Sequence, residues 1–399
     1  MNRTTAHPLS LRAWFQLAAR EPFRLFFPSA VAAGIAGVSL WPLHLTGFTA
    51  LYPGQLHARL MTHGMFGGFI LGFLGTAMPR LLEAPALRAA ETFPLLVLHL
   101  AMIVMHATGH PAAGDGLFLL LDLSFLLIAG IRLCRRKSAP PPGFVLVLLA
   151  LLCAATGASL SLLGDTEKFP SLMTLQRLLT YQGFVLFPIL GVGPFLLPRF
   201  LGATSSHEFP ETPGHATRWR QKAVIAAGAG GMLLGTFLLE AQGLVRVAYG
   251  ARFCLTAGYL MLELRGLGHS RKTTVFGAVV QAAVAGMWGG FLAVACFPAY
   301  RIALLHITLA GGFALITFTV ATRVLFGHAG KINLLAGRNA WFLAAMGLML
   351  FGMLTRVSGD FWPKIMTSHY TYGALLWMAG ALVWAAFALP QIVAQDPEE

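Results

Sequence analysis

Imidazole is the reactive group this sequence supplies most freely: 13 histidines among 399 residues, against 4 cysteines that stand singly with no CxxC spacing. Neutral imidazole is a good ligand for haem iron, zinc and copper. The candidate ligands are His57, His63, His106, His306 and His369, each at or just inside one end of an apolar stretch. At the rise of an α-helix, His63 and His306 lie about 9 Å inside their stretches. His99 and His106 are seven residues apart and share a helix face. Asp115 and Asp122 share a face of the next, antiparallel helix at comparable depth. A carboxylate beside a ligating imidazole is its usual orienting partner. The competing reading of any one of these histidines is a helix–helix hydrogen bond.

A second argument selects two of them. His63 opens HGMFGGFILGFLGTAMPR and His306 opens HITLAGGFALITFTVATR. Both have an arginine seventeen residues on (Arg80, Arg323), an early glycine pair (Gly67 and Gly68; Gly311 and Gly312) and a threonine at the same offset (Thr76, Thr319). Gln182 opens a third copy, QGFVLFPILGVGPFLLPR, ending at Arg199. The copies are 119 and 124 residues apart, which suggests three units of four helices. Chance alignment of glycine-rich apolar helices is the bland alternative. The glycines let helices pack closely, and they also let a flat cofactor approach the backbone.

Two imidazoles from facing helices can clamp a haem from both sides. Its two propionates then need cations, which arginine supplies without losing charge. Arg59, Arg177, Arg246, Arg252, Arg301 and Arg356 lie at the same ends as the histidines. Arg59 precedes His63 by four residues and Arg301 precedes His306 by five, about one turn further out. Headgroup anchoring is the other reading of each arginine. Convergence of His57, His106 and His369 would add a second metal such as copper.

The elements that must position these residues are membrane helices. The chain is 57% hydrophobic and 11% charged, which excludes an ordinary soluble enzyme. Twelve stretches are long enough to cross a bilayer: 23–45, 57–79, 93–110, 115–133, 143–163, 172–197, 222–241, 246–265, 274–297, 300–324, 339–357 and 367–390. With the N-terminus inside, 20 of the 28 basic residues fall on the cytoplasmic side. The net charge of +13 therefore reads as a topology signal rather than as nucleic-acid binding. Asp122 is the one carboxylate placed well inside a span. The expected organisation is a cytoplasmic leader (1–22), a single twelve-helix domain (23–393) and a cytoplasmic acidic tail (394–399). Residues 8–20 read as an amphipathic surface helix or as an ordered polar leader. His328, in GHAG, lies about 33 Å along the helix from His306, so it serves a separate inner site or caps the helix end.

These residues resemble the NnrS family, twelve-helix membrane proteins containing haem and copper and linked to the bacterial response to nitric oxide. The resemblance is carried by EPFRLFFP (Glu21–Pro28), by THGMFGGFILGFLGTAMPR, by LGVGPFLLPRF (Leu190–Phe200), and most specifically by LHITLAGGFALITFTVATRVLFGHAGK (Leu305–Lys331). It departs where the family has paired histidines in the second span: Met61 and His63 stand there, followed by Gly64. The three-unit plan is also similar to subunit I of haem-copper oxidases, except that Gln182 occupies a histidine position and the tenth span has one histidine.

The resemblance implies an all-α polytopic protein of twelve transmembrane helices in a bacterial inner membrane, both termini cytoplasmic. It implies haem held by histidines of the second and tenth spans, copper as a second metal, and nitric oxide or another small gas as ligand, with no redox partner identified. A secondary transporter and a metal or haem delivery factor for a respiratory complex are the competing functions.

Overall fold

A computed structural model describes residues 10–163, 168–200, 213–264, 274–335, 337 and 339–394. His7, His207, His215, His269 and nearly all of the acidic tail lie outside the residues whose side chains are described. Among the described residues the chain is helical and contains no strand. The twelve expected spans are present as α1 (Phe23–Leu45), α2 (Pro53–Leu81), α3 (Ala89–Ala107), α4 (Pro111–Cys134), α5 (Phe144–Leu162), α6 (Pro170–Phe200), α7 (Pro213–Ala241), α8 (Val245–Glu263), α9 (Val275–Cys296), α10 (Pro298–His328), α11 (Ala340–Phe361) and α12 (Pro363–Val393).

Eleven of these are long and apolar enough to cross a membrane by themselves. The twelfth, α8, falls short because Arg246, Arg252 and Glu263 lie on it. It is nonetheless packed between α7 and α9, with Arg252 and Glu263 buried. Asp122 lies at the middle of α4. Asp115, Glu240 and Glu263 are buried as well, each near a helix end with a cation partner, Arg59, Arg252 and Lys222 respectively.

Consecutive spans pack side by side, and α12 closes on α1. The three helices that begin the repeats, α2, α6 and α10, touch one another at the centre. Burial reports the same: 78% of the α2 and α6 windows is buried, against 28% for α3 and α4, which leave Val97 and Leu127 outward. Close approach depends on glycine where backbones meet. A Cβ on Gly290 would lie 2.2 Å from Thr308 Oγ1, and one on Gly312 2.8 Å from the Met287 backbone nitrogen, so α9 and α10 pack nearly backbone to backbone.

Each central helix contains a π-helical turn. These turns run Leu60–Phe66 in α2, Leu179–Gly183 in α6 and Ile307–Ala314 in α10. Two of them enclose His63 and Gln182, and the third starts immediately after His306. A π turn inserts a residue and rotates the helix face beyond it, and such turns occur frequently at functional sites. Their recurrence beside the residue that opens each repeat, at the same register in α2 and α6 and four residues later in α10, is independent support for the threefold repeat.

A surface helix, Leu11–Arg20, precedes α1. It buries Leu17, Ala18 and Ala19, leaves Leu11 and Phe15 exposed, and is tied to the chain's other end by Trp14 Nε1 donating to the Ile392 carbonyl at 3.2 Å.

Candidate functional site

The first repeat gathers three buried donor groups. Arg59 and His63 lie one turn apart on α2 and point the same way, toward α3 and α4. The Asp115 carboxylate on α4 accepts from Arg59 at 2.9, 3.0 and 2.8 Å, and from the Ser161 hydroxyl of α5 at 2.6 Å. This clamp turns Oδ1 toward two imidazoles: His63 Nδ1 at 3.7 Å and His106 Nε2 at 3.8 Å. The two nitrogens are 3.4 Å apart. Nitrogen and oxygen ligands about 2.0–2.1 Å from one ion, at tetrahedral to trigonal angles, stand about 3.3–3.6 Å from each other. One side of the observed triangle falls in that range and the other two lie 0.1–0.2 Å beyond it, and all three residues are buried.

Packing holds the rings in place. His63 lies flat on Phe118, with centroids 3.9 Å apart and planes 4° apart. His106 presses on Gly114, where a Cβ would come within 2.3 Å of the ring. The far nitrogens, His63 Nε2 and His106 Nδ1, are buried with no hydrogen-bond partner among the described residues. Both oxygens of Asp122, two turns further along α4, are in the same position.

Two further imidazoles, on α2 and α10, are each oriented by a backbone carbonyl. His306 Nδ1 donates to the Ile302 carbonyl at 2.8 Å, and His57 Nδ1 donates to the Gly37 carbonyl at 3.0 Å. A carbonyl can only accept, so in both rings Nδ1 carries the proton and Nε2 presents its lone pair. This is the tautomer a metal-binding histidine takes when a backbone oxygen orients it. His306 lies within electrostatic reach of His57, Arg356 and Asp360, and His57 within reach of Arg356. Arg356 donates to Asp360 at 2.5 Å and lies 3.7 Å over the Tyr370 ring, whose hydroxyl also bonds Asp360.

The middle repeat closes on itself. Gln182 donates to the Tyr249 hydroxyl at 3.0 Å and accepts from Arg252 at 3.1 Å. Glu240 takes Arg252 at 2.6 Å and Arg301 at 3.1 Å. Arg252 also bonds Thr236 and lies over the rings of Phe237 and Tyr249.

The expected site residues thus divide among three places. His63 and His106 meet around Asp115, whereas His306 is held by the Ile302 carbonyl and has no contact with either, so the two helix-opening histidines are not brought together among the described residues. Arg59 and Arg301, expected beside propionates, are engaged by Asp115 and Glu240. Arg177 lies on the surface against Met173, donating to its sulfur at 3.5 Å. His369 donates Nδ1–H to the Ile365 carbonyl at 3.1 Å. Of the glycines, Gly68 packs α2 against Ala30 and His99, Gly311 meets Met353, Gly312 meets the Met287 backbone, and Gly67 makes ordinary contact with Phe184. Both nitrogens of His99 are occupied, by Ser29 and the Gly64 carbonyl, which makes it structural. His328 likewise donates to Glu21 at 2.8 Å and packs on Phe23.

Sequence reasoning missed Asp115 as a converging donor and Asp360 as the partner of Arg356. The signal for the first was present: Asp115, His106 and Arg59 occupy one level of three neighbouring helices. The sequence model of a family described as NnrS protein matches residues 18–395, nearly the whole chain. No curated protein matches it.

Proposed function

Because the chain belongs to the NnrS family, we propose that it is a membrane metal and haem protein of the nitric-oxide response with two separate sites. The observation that carries this reading is the triangle of His63, His106 and Asp115, whose donor spacing fits a single small ion. Two imidazoles and a carboxylate suit copper, and also iron or zinc. Arg59 and Ser161 fix the carboxylate and Phe118 covers the His63 ring, so the donors are set before the ion arrives.

We assign haem to His57 of α2 and His306 of α10, which both present Nε2, with Arg356 within electrostatic reach of both as a cation for a propionate. When bound, such metals supply affinity for nitric oxide and one-electron chemistry. The chain's own residues orient the ligands, and they bury His63, His106 and Asp115. The positive-inside count supports an inner-membrane location with both termini cytoplasmic.

The test is optical and elemental. Protein purified from haem-supplemented cells is expected to show a Soret band that shifts on adding nitric oxide, with copper present. Absence of both haem and bound transition metal overturns the proposal. Cofactor-free protein that moves a solute into liposomes would favour the transporter reading instead.

A further inference from the structure

The donor triangle takes one residue from each of three helices: His63 from α2, His106 from α3 and Asp115 from α4. A fourth helix packs against the same place. The π turn of α6, Leu179–Gly183, touches the π turn of α2 that encloses His63. Successive residues of the α6 turn go to different neighbours. Thr180 lies on Gly157 of α5, and Gly183 lies against Cys153 of the same helix. Gln182 turns to Tyr249 and Arg252. Tyr181 turns to α2, where its ring centroid is 6.2 Å from that of His63 and the two planes are 47° apart.

Three features make the Tyr181 phenol part of the site rather than packing around it. It lies within electrostatic reach of Asp115 and Arg59, the carboxylate of the triangle and the arginine that holds it. Its hydroxyl makes no hydrogen bond among the described residues, although a tyrosine hydroxyl inside a protein usually finds a partner. Three protein donors are also one short of the four positions filled around a zinc-like ion, and sites that exchange a ligand keep that fourth position open. Polar groups that are near but do not bond leave room for an intervening atom. The phenol offers one O–H donor and Arg59 adds positive charge, so the group that suits this place is an acceptor carrying negative charge.

We propose that the Tyr181 hydroxyl donates a hydrogen bond to a small anionic ligand, diatomic or triatomic, at the open position of an ion held by His63, His106 and Asp115. The inference rests on the metal reading above and names the residue that selects the ligand. Tyr181 favours negative charge on the ligand's outer atom through a donor already in place. It keeps its own proton and is not itself a metal ligand.

The probe is azide, whose infrared stretch reports its surroundings. Azide is added to the purified full chain in ordinary and in heavy water, and the response that His63→Ala lacks is the ion's own. Tyr181→Phe keeps the ring beside His63 and removes only the donor. It is expected to retain its metal by elemental analysis and to lose the heavy-water shift of the azide band. Its azide affinity should fall about tenfold or more, the worth of one hydrogen bond to a charged group. Tyr249→Phe, the matching loss of a hydroxyl in the second repeat, is expected to leave all three readings at wild-type values. Unchanged azide affinity and heavy-water shift in Tyr181→Phe, or metal-loaded wild type with no azide response at the ion, would overturn the proposal and leave the metal reading standing. Loss of metal from Tyr181→Phe, or a visible phenolate band that this variant lacks, would make Tyr181 a ligand in its own right and overturn it too. Wild-type protein without metal would overturn both readings.

Discussion

The first and second repeats share their helix plan and part at the residue that opens it. Each begins on a central helix, at the same register of a π turn, with a polar side chain facing a buried carboxylate–arginine pair. In the first repeat the side chain is His63. There Arg59 and Ser161 occupy Asp115 from one side, and Oδ1 converges with two imidazole nitrogens on the other. In the second it is Gln182, whose donor and acceptor are both taken by Tyr249 and Arg252. One arrangement leaves lone pairs aimed at a common point and the other leaves none. The repeat supplies a polar seat at the end of each unit, and residue type decides whether the seat becomes a ligand site or a lock between helices.

The comparison can be broken most severely at the first repeat. His63→Ala removes one of three donors, and bound metal at that site should fall to background by elemental analysis, whereas Gln182→Ala should leave metal content unchanged. Arg59→Gln should lower metal affinity by about 10–100-fold, because Asp115 loses the group that orients it. In the second repeat the expected loss is stability. Glu240→Gln strands the fully buried Arg252 and should destabilise the protein by about 3–5 kcal/mol, read as a lower Tm with metal content unchanged. Gln182→His sharpens the contrast. The new imidazole sits beside Arg252 and Tyr249 with no second free donor, so it should cost about 1–3 kcal/mol through lost hydrogen bonds and gain no metal. Metal uptake by this variant would show that the seat alone suffices.

The smallest effect lies away from both repeats, at Glu21 outside the spans. Burial pushes its carboxyl up, but the hydrogen bond and charge of His328 and the charge of Arg24 outweigh this and lower it from 4.5. A lowered folded-state value stabilises above the unfolded value, and the contribution is lost as pH falls through the folded one. Tm should therefore drop on acidification from pH 5 toward 3, and Glu21→Gln should flatten that part of the profile.

Much of the fold could be read directly from the residues. Twelve apolar stretches, short basic loops and a repeated His/Gln–Arg spacing led to the spans and to the threefold plan. The span that the apolarity measure passes over, α8, is the one whose arginine is buried in a polar network, a tertiary fact invisible along the chain. The π turns left no sequence mark, since glycine-rich apolar runs support α and π hydrogen bonding alike. Of the site, the imidazole level and the nearness of Asp115 to His106 were legible. Helix geometry also separates His57 from His63. His57 and His63 are six residues apart, about 600° of rotation, and so point to different faces of α2. Arg59 and His63, four apart, share a face and turn together to Asp115. His57 faces the other way, toward α1, where Gly37 accepts its proton and Trp41 packs edge-on.

The most direct test of two separate sites is a paired assay of haem and metal content on wild type, His63→Ala and His306→Ala. The account predicts that His63→Ala loses its metal ion and keeps the Soret band, while His306→Ala loses the Soret band and keeps the ion. Loss of the Soret band in both variants would mean that the two histidines serve one haem, and would contradict it.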